Sequence, residues 1–286
     1  MDRSSPSGVR NILRRYDLRA KKSWGQNFLV DRNVLTRIAD ACAISPDQYV
    51  VEIGPGLGAL TQELATRCRG VLAIEKDTGM GAPLEDLVNE YKNISLLFQD
   101  ILKVDIEAAL QQAFGLSEIA AYQVCANIPY NITTPILFQL LERCPHMQAA
   151  TLMMQKEVGD RLLALPGGKA YGRLTLTAAY YADLQSLFNV SHHCFYPQPE
   201  VDSAVLRIIP QRPRRVSVRH EELLKDFIRA AFQKRRKTML NITSGYFGLD
   251  KGEADSRLQT LGLSANLRPE NLSIEDMARL VNALAP

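Results

Sequence analysis

The sequence predicts an α/β protein: a doubly wound, mostly parallel sheet with helices on both faces, followed by a small helical C-terminal domain. Three observations carry this. From Tyr49 to Gln155, short apolar runs alternate with helical patterns, the signature of right-handed βαβ units. The apolar runs are nearly continuous, as in strands buried on both sides. Beyond Pro210 the strand pattern gives way to helical periodicity after a Pro/Arg-rich linker, QRPRR. The domains are therefore expected at 1–210 and 211–286.

In order, Asp31 is placed to cap a helix carrying Val34, Leu35, Ile38 and Ala41, expected to cover one edge of the sheet. The runs YVVEI, VLAIE, ISLLF, YQVCAN and ATLMMQ read as strands. Between them LGALTQELA, the stretch from Leu84 to Tyr91, DIEAALQQA and TPILFQLLE read as helices. A further helix beginning at KEVGDRLLAL breaks at Pro166-Gly167-Gly168 and resumes in RLTLTAAYYA, since that triplet cannot continue a helix. LQSLFNV and SAVLRII flank SHHCFYPQPEVD and fit an antiparallel addition to the sheet. The last part predicts helices at about 220–233, 236–246, 250–261 and 273–284, with Gly245, Gly248 and Gly262 as stops and Ser273 with Asp276 as a cap.

Composition narrows the class. The 286 residues are 46% hydrophobic and 23% charged, an ordinary globular balance, and no run of 18 apolar residues could span a bilayer. The five cysteines are odd in number, widely spaced and never form C-x-x-C, so neither a disulfide framework nor a zinc cluster is signalled. The basic N-terminus lacks the apolar stretch of a secretory signal, and a reducing, cytoplasmic compartment is expected, with no metal. The net charge of +3 conceals a division: residues 1–37 carry +6, residues 207–237 carry +8, and the remainder −11. Two basic segments on an otherwise acidic chain form either an electrostatic footprint for a polyanion such as nucleic acid or a pair of solvated helix faces. Candidate phosphate contacts are Lys234, Arg235, Arg236 and Lys237, with Arg14, Arg15, Lys21 and Lys22.

The first predicted strand runs into Gly54-Pro55-Gly56-Leu57-Gly58, where glycine lets the backbone turn sharply and approach a ligand. Its G-x-G-x-G spacing differs from the dinucleotide fingerprint, and Glu75 at the end of the second strand suits ribose hydroxyls. An NAD enzyme and an enzyme with another nucleoside-bearing cofactor both fit at this point. Asp100 closes the third strand, placed for an adenine amine, and Asn127-Ile128-Pro129-Tyr130 closes the fourth. Strand ends in open α/β sheets face one crevice, so Gly54, Glu75, Asp100 and Asn127 are expected to converge. An Asn side-chain oxygen and the Ile128 carbonyl can accept both hydrogens of an exocyclic amine, aiming its delocalised lone pair at an electrophile. Pro129 fixes the turn, and Tyr130 offers a stacking face to an unstacked base. A plain turn with Tyr130 in the core is the alternative.

These motifs, with KKSWGQNFLVD, VVEIGPGLGALT, ANIPYNITTPIL, MQKEVGDRL, PGGKAYGRLTL, FYPQPEVDSAVL and RPENLS, closely resemble the class I S-adenosylmethionine-dependent methyltransferases. Within them the resemblance is to the bacterial small-subunit ribosomal RNA adenine dimethyltransferase family. It implies a Rossmann-like fold and dimethylation of the amines of two adjacent adenosines near the 3' end of 16S rRNA, in an assembling 30S subunit, by a monomer. It further implies Asn27 and Leu29 near the methionine portion of the cofactor, Gly54 and Gly56 in its loop, Glu75 on ribose and Asp100 on adenine. Asn127 would stand beside the reacting amine, with Tyr130 and Phe195 sandwiching the target adenine. The stretch TGMGAPL after Asp77 departs from the family pattern by its glycines and obscures where the next helix starts. A non-catalytic rRNA-binding assembly factor is the alternative of a different class; an NAD oxidoreductase leaves the Asn-Ile-Pro-Tyr run and the basic segments unexplained.

Overall fold

A computed structural model describes residues 1–21, 25–233 and 236–285. Three of the expected RNA contacts, Lys22, Lys234 and Arg235, lie outside the described residues. The chain opens with a helix that the charge pattern conceals, α1 (Pro6–Arg15), started by Ser5, whose hydroxyl accepts the Gly8 N–H. Its Val9, Ile12 and Leu13 are buried against Phe28, Val30, Leu57, Met80 and Leu84. Then come β1 (Phe28–Leu29) and α2 (Arg32–Ala41), the latter capped as expected by Asp31, which accepts from the Val34 N–H at 3.0 Å.

The alternating core follows: β2 (Tyr49–Ile53), α3 (Ala59–Ala65), β3 (Gly70–Glu75), α4 (Gly81–Glu90), β4 (Ile94–Phe98), α5 (Ile106–Phe114), β5 (Tyr122–Asn127), α6 (Thr133–Arg143) and β6 (Met147–Gln155). The glycine-rich departure forms one 3-10 turn, Thr78–Met80, before α4 begins. Next are α7 (Lys156–Leu162), α8 (Arg173–Tyr181), β7 (Ala182–Val190), β8 (Phe195–Tyr196) and β9 (Ser203–Pro210). The chain ends in α9 (Glu221–Gln233), α10 (Met239–Phe247), α11 (Lys251–Thr260) and α12 (Ile274–Leu284). Gly245 lies inside α10 rather than ending it; Gly248, in the left-handed conformation at φ +71°, caps it instead.

Among the described residues seven strands form one sheet in the order β4-β3-β2-β5-β6-β9-β7, and β1 pairs with β8 in a separate two-stranded ribbon. The pairs from β4 through β6 are parallel, and β9 joins β6 antiparallel. β2 and β3 are buried along their whole length, which is why they read as unbroken apolar runs. α2 does not cover an edge: its Val34, Leu35, Ile38 and Ala39 share a core with Val50, Val71, Cys125 and Val205, four strands of the sheet face. An apolar stripe this wide needs a face to bury it.

The chain divides into two compact units, Met1–Gly159 with Gln185–Pro210, and Asp160–Leu184 with Gln211–Pro286. The expected contiguous 1–210 domain is thus interrupted, because 160–184 packs with the C-terminal helices. Within that unit the Tyr180 and Tyr181 hydroxyls of α8 each donate to the Glu221 carboxylate of α9 at 3.0 Å. The Tyr171 hydroxyl donates to the Leu272 carbonyl at 2.7 Å. Among the described residues no helix is long and apolar enough to cross a membrane.

Gly58 starts α3 at φ +82°, and a β-carbon there would lie 2.8 Å from Leu87 Cδ2. Gly58→Ala is expected to lower stability by about 1–3 kcal/mol through backbone strain and this clash. A urea midpoint shifted downward at constant slope is the check; an unchanged midpoint contradicts it.

Candidate active site

The strand order creates a crevice. From β2 the chain moves outward through β3 and β4, then returns to the other side of β2 as β5, so the connections diverge between β2 and β5. A cavity of about 360 Å³ opens there, at the carboxyl ends of the strands. Gly54, Glu75, Asp100 and Asn127 all line it, as do Asn27, Leu29, Gly56, Ile128, Pro129 and Tyr130.

Glu75 anchors the glycine loop. Its carboxylate accepts the Gly56 N–H at 3.0 Å and the Asp77 N–H at 2.8 Å, one on each oxygen. Burial pushes this carboxyl up from its usual range, opposed by those two N–H groups. Each oxygen keeps a lone pair for a further donor. Gly56 has φ +57°, and a β-carbon there would press on the Phe28 ring at 3.2 Å, so a side chain would crowd the cavity wall. At the rim Asp100 takes the Lys76 ammonium at 2.8 Å, and that lysine holds its carboxyl below the usual range.

The Asn127 side chain has a defined orientation. Its Nδ2 donates to the Asn27 backbone carbonyl at 3.3 Å, which directs the donor end of the amide to that carbonyl and leaves Oδ1 as acceptor. The following residue, Ile128, is locked to β6 by its N–H on the Met153 carbonyl at 3.1 Å. The Tyr130 hydroxyl shares a 2.8 Å hydrogen bond with Ser203, a fully buried serine on β9. Phe195 does not reach the cavity. It is 2% exposed, sits opposite Leu29 in the β1–β8 ribbon and belongs to the core under the sheet. The alternation of a strand decides this: Phe195 turns inward, while Tyr196 packs near Phe28 and under Arg10.

Of the described basic residues, Arg14, Arg15, Arg236 and Lys237 are exposed. Lys21 is not simply a surface cation, since its Nζ binds the buried Asp77 carboxylate at 2.7 Å. Among the described residues no group of three or more His, Cys, Asp and Glu is arranged to hold a metal.

The model of the ribosomal RNA adenine dimethylase family matches residues 17–286. The chain belongs to this family. It is a methyltransferase that dimethylates adenine in ribosomal RNA, with S-adenosylmethionine as methyl donor. A Geobacillus thermodenitrificans protein, "Ribosomal RNA small subunit methyltransferase A", is 43% identical over 100% of this chain and 98% of its own length. A Bacillus cytotoxicus protein of the same name is 41% identical over 100% and 98%. Among solved structures, a Plasmodium falciparum dimethyladenosine transferase superposes with a TM-score of 0.72 at 25% identity, covering 87% of this chain and 94% of that one. The 23S rRNA methyltransferase ErmE reaches 0.68 at 25% identity, covering 91% and 100%. The oxidoreductase reading of the first βαβ unit is thereby set aside.

The dimethyltransferase's cavity fits its cofactor chemically. When bound, S-adenosylmethionine supplies a methyl group made electrophilic by a sulfonium. Glu75 has spare acceptors of the kind that hydroxyl donors need, Asp100 presents a carboxylate at the rim, and the lining carries acids with Arg3 and Lys76 among them. Sequence reasoning missed one member of that lining. Glu52, 1% exposed and next to last in β2, lines the cavity, and its Oε2 has no hydrogen-bond partner among the described residues. An acid inside an otherwise apolar strand is the available signal. Burial, opposed by the nearby Thr61 hydroxyl and reinforced by the Glu75 carboxylate, pushes Glu52 up to about 8.

That shift sets a direction for stability. Between the ordinary carboxylate range and about pH 8, unfolded Glu52 is ionised while folded Glu52 keeps its proton, so stability falls as pH rises through this window. Glu52→Gln is expected to flatten that decline, read from urea midpoints at pH 5 to 9; an unaltered profile contradicts the assignment.

Proposed function

We propose that this dimethyltransferase acts on two adjacent adenosines near the 3' end of small-subunit (16S) rRNA, in an assembling 30S subunit. Each exocyclic amine receives two methyl groups. The observation that carries the chemistry is the oriented Asn127 amide at the β5 end, with Nδ2 on the Asn27 carbonyl. Full-length similarity to proteins named for the small subunit supports the choice of RNA. In this reading the enzyme works in the cytoplasm as a monomer, without a metal.

Asn127 Oδ1 and the Ile128 carbonyl accept the two amine hydrogens, which localises the nitrogen lone pair and points it into the cavity. Pro129 has no N–H to compete for that site and holds φ at −55°. Tyr130 stacks on a base drawn out of its helix, its ring steadied by Ser203. Phe195 contributes by bracing Leu29 rather than by stacking on the base. Forming the N–C bond would break the methyl–sulfur bond and leave its electron pair on sulfur, the amine would then shed one proton to solvent, and in a second cycle the once-methylated amine, with one hydrogen left, would engage one of the two acceptors. Glu75 and Asp100 hold the nucleoside end of the cofactor, and Asn27, Leu29, Gly54 and Gly56 border the rest.

The direct test is transfer of labelled methyl groups to under-methylated small subunits, with large subunits as control and nucleoside analysis of the product. Dimethyladenosine on the small subunit alone is expected. Asn127→Ala should reduce transfer severely while cofactor binding persists, because the lost acceptor orients the amine. Tight subunit binding without transfer by the wild-type enzyme would instead indicate a non-catalytic assembly factor.

Arg14, Arg15, Lys22, Lys234, Arg235, Arg236 and Lys237 contact RNA phosphates, which position RNA without reading its sequence. Neutralising 234–237 together is expected to weaken RNA binding and reduce its log–log salt slope by about 3, at roughly 0.7–0.9 per contact. Cofactor affinity should not change. A salt slope equal to wild type removes these residues from the interface.

A further inference from the structure

Asp77 stands two residues beyond Glu75 and is 2% exposed, although it lies outside the cavity lining. Its carboxylate gathers three donors: Lys21 Nζ at 2.7 Å and the Gly79 N–H at 3.1 Å on Oδ1, and Gln26 Nε2 at 2.8 Å on Oδ2. Its own N–H is the one that reaches Glu75 Oε1 at 2.8 Å. Gln26 is held at its other end as well, its Oε1 accepting the Lys21 N–H at 2.8 Å. Burial acts to raise the Asp77 carboxyl, and the Lys21 and Gln26 contacts outweigh it and keep it below the ordinary range.

The consequence reaches both halves of the site. Gly25, Gln26 and Asn27 line the cavity, and they approach it from the chain that Asp77 tethers to the end of β3. Asn27 supplies the carbonyl that receives Asn127 Nδ2, and its own Nδ2 donates to the Gly25 carbonyl at 3.2 Å. A continuous set of hydrogen bonds thus runs from Glu75 through Asp77 to Gln26, and along the chain to Asn27 and Asn127. We infer that Asp77 is a positioning residue for methyl transfer: its carboxylate, with Lys21 and Gln26, fixes the Asn27 carbonyl against Asn127 and sets the place of the main-chain N–H that Glu75 accepts. This rests on the reading of Asn127 as acceptor of the target amine. It also reassigns Lys21 from phosphate contact to internal tie.

A buried carboxylate that loses its cation is left uncompensated, so the three side chains should act as one unit. The test compares Asp77→Ala, Lys21→Met, Gln26→Leu and the double variant Lys21→Met/Asp77→Ala with the wild-type chain. Two quantities are read: the Kd for S-adenosylhomocysteine by calorimetry, and the single-turnover rate of methyl transfer to under-methylated small subunits at saturating cofactor. Asp77→Ala is expected to raise the Kd and also to slow the saturated rate, roughly ten- to hundredfold, as misplacement of a positioning group does. Lys21→Met should give part of that loss, and the double variant should be no worse than Asp77→Ala. Lys21→Met should leave the salt slope of RNA binding unchanged, whereas loss of a phosphate contact would lower it by about 0.7–0.9.

A saturated rate in Asp77→Ala equal to wild type overturns the inference, as does additivity of the two single variants. If Asp77→Ala fails to fold by thermal denaturation, Lys21→Met and Gln26→Leu carry the test, and wild-type saturated rates in both overturn it. Absence of transfer by the wild-type enzyme would sink the proposed function instead. Calorimetry, which needs no RNA, then decides: unchanged cofactor affinity in Asp77→Ala overturns the inference and a raised Kd upholds its cofactor half.

Discussion

The chain leaves β2 toward β3 and β4 and comes back to the opposite side of β2 as β5, and the site depends on that reversal. Parallel strands need crossover connections, and where two of these diverge the sheet has nothing covering its carboxyl edge. The register aligns Ile53 with Ala126, so Gly54 and Asn127, the next residue of each strand, come to the same edge. The glycine loop and the Asn127 amide are neighbours for this reason, although 72 residues lie between Gly54 and Asn127 in the chain.

Around that crevice the electrostatics are divided. Glu52 and Glu75 lie in or at the end of buried strands, and desolvation raises both carboxyls. Asp77 and Asp100 have lysines beside them and are held low. Glu52, Glu75 and Asp100 thus line the crevice with differing proton affinities, Asp77 lies outside its lining, and Arg3 and Lys76 share the lining with the acids.

Much of this was legible in the sequence because its signals are local. The strand–glycine–helix turn, the acid closing β3, and the Asn-Ile-Pro-Tyr run each depend on residues within one turn of chain. α1 was hidden because Arg10, Arg14 and Arg15 surround the few apolar residues that bury it. Glu52 escaped notice because its signal, one acid in a strand, says nothing until burial on both faces is known. The 160–184 segment reads as a helix broken at Pro166-Gly167-Gly168, which does not say which unit it joins; in the structure it packs with the C-terminal helices, its tyrosines bonding to Leu272 and Glu221.

The sequence by itself determined the class of fold, the strand ends that meet at the crevice, and the kind of chemistry those residues can perform. Periodicity, turn chemistry and motif spacing are properties of neighbouring residues, and they survive without knowledge of distant contacts. Tertiary structure alone decided that Phe195 faces the core, that Lys21 is bound to Asp77, and that Ser203 holds the Tyr130 hydroxyl. Each of these depends on a partner tens of residues or more away, and a side chain's type does not say which of several available partners burial will bring within hydrogen-bonding distance.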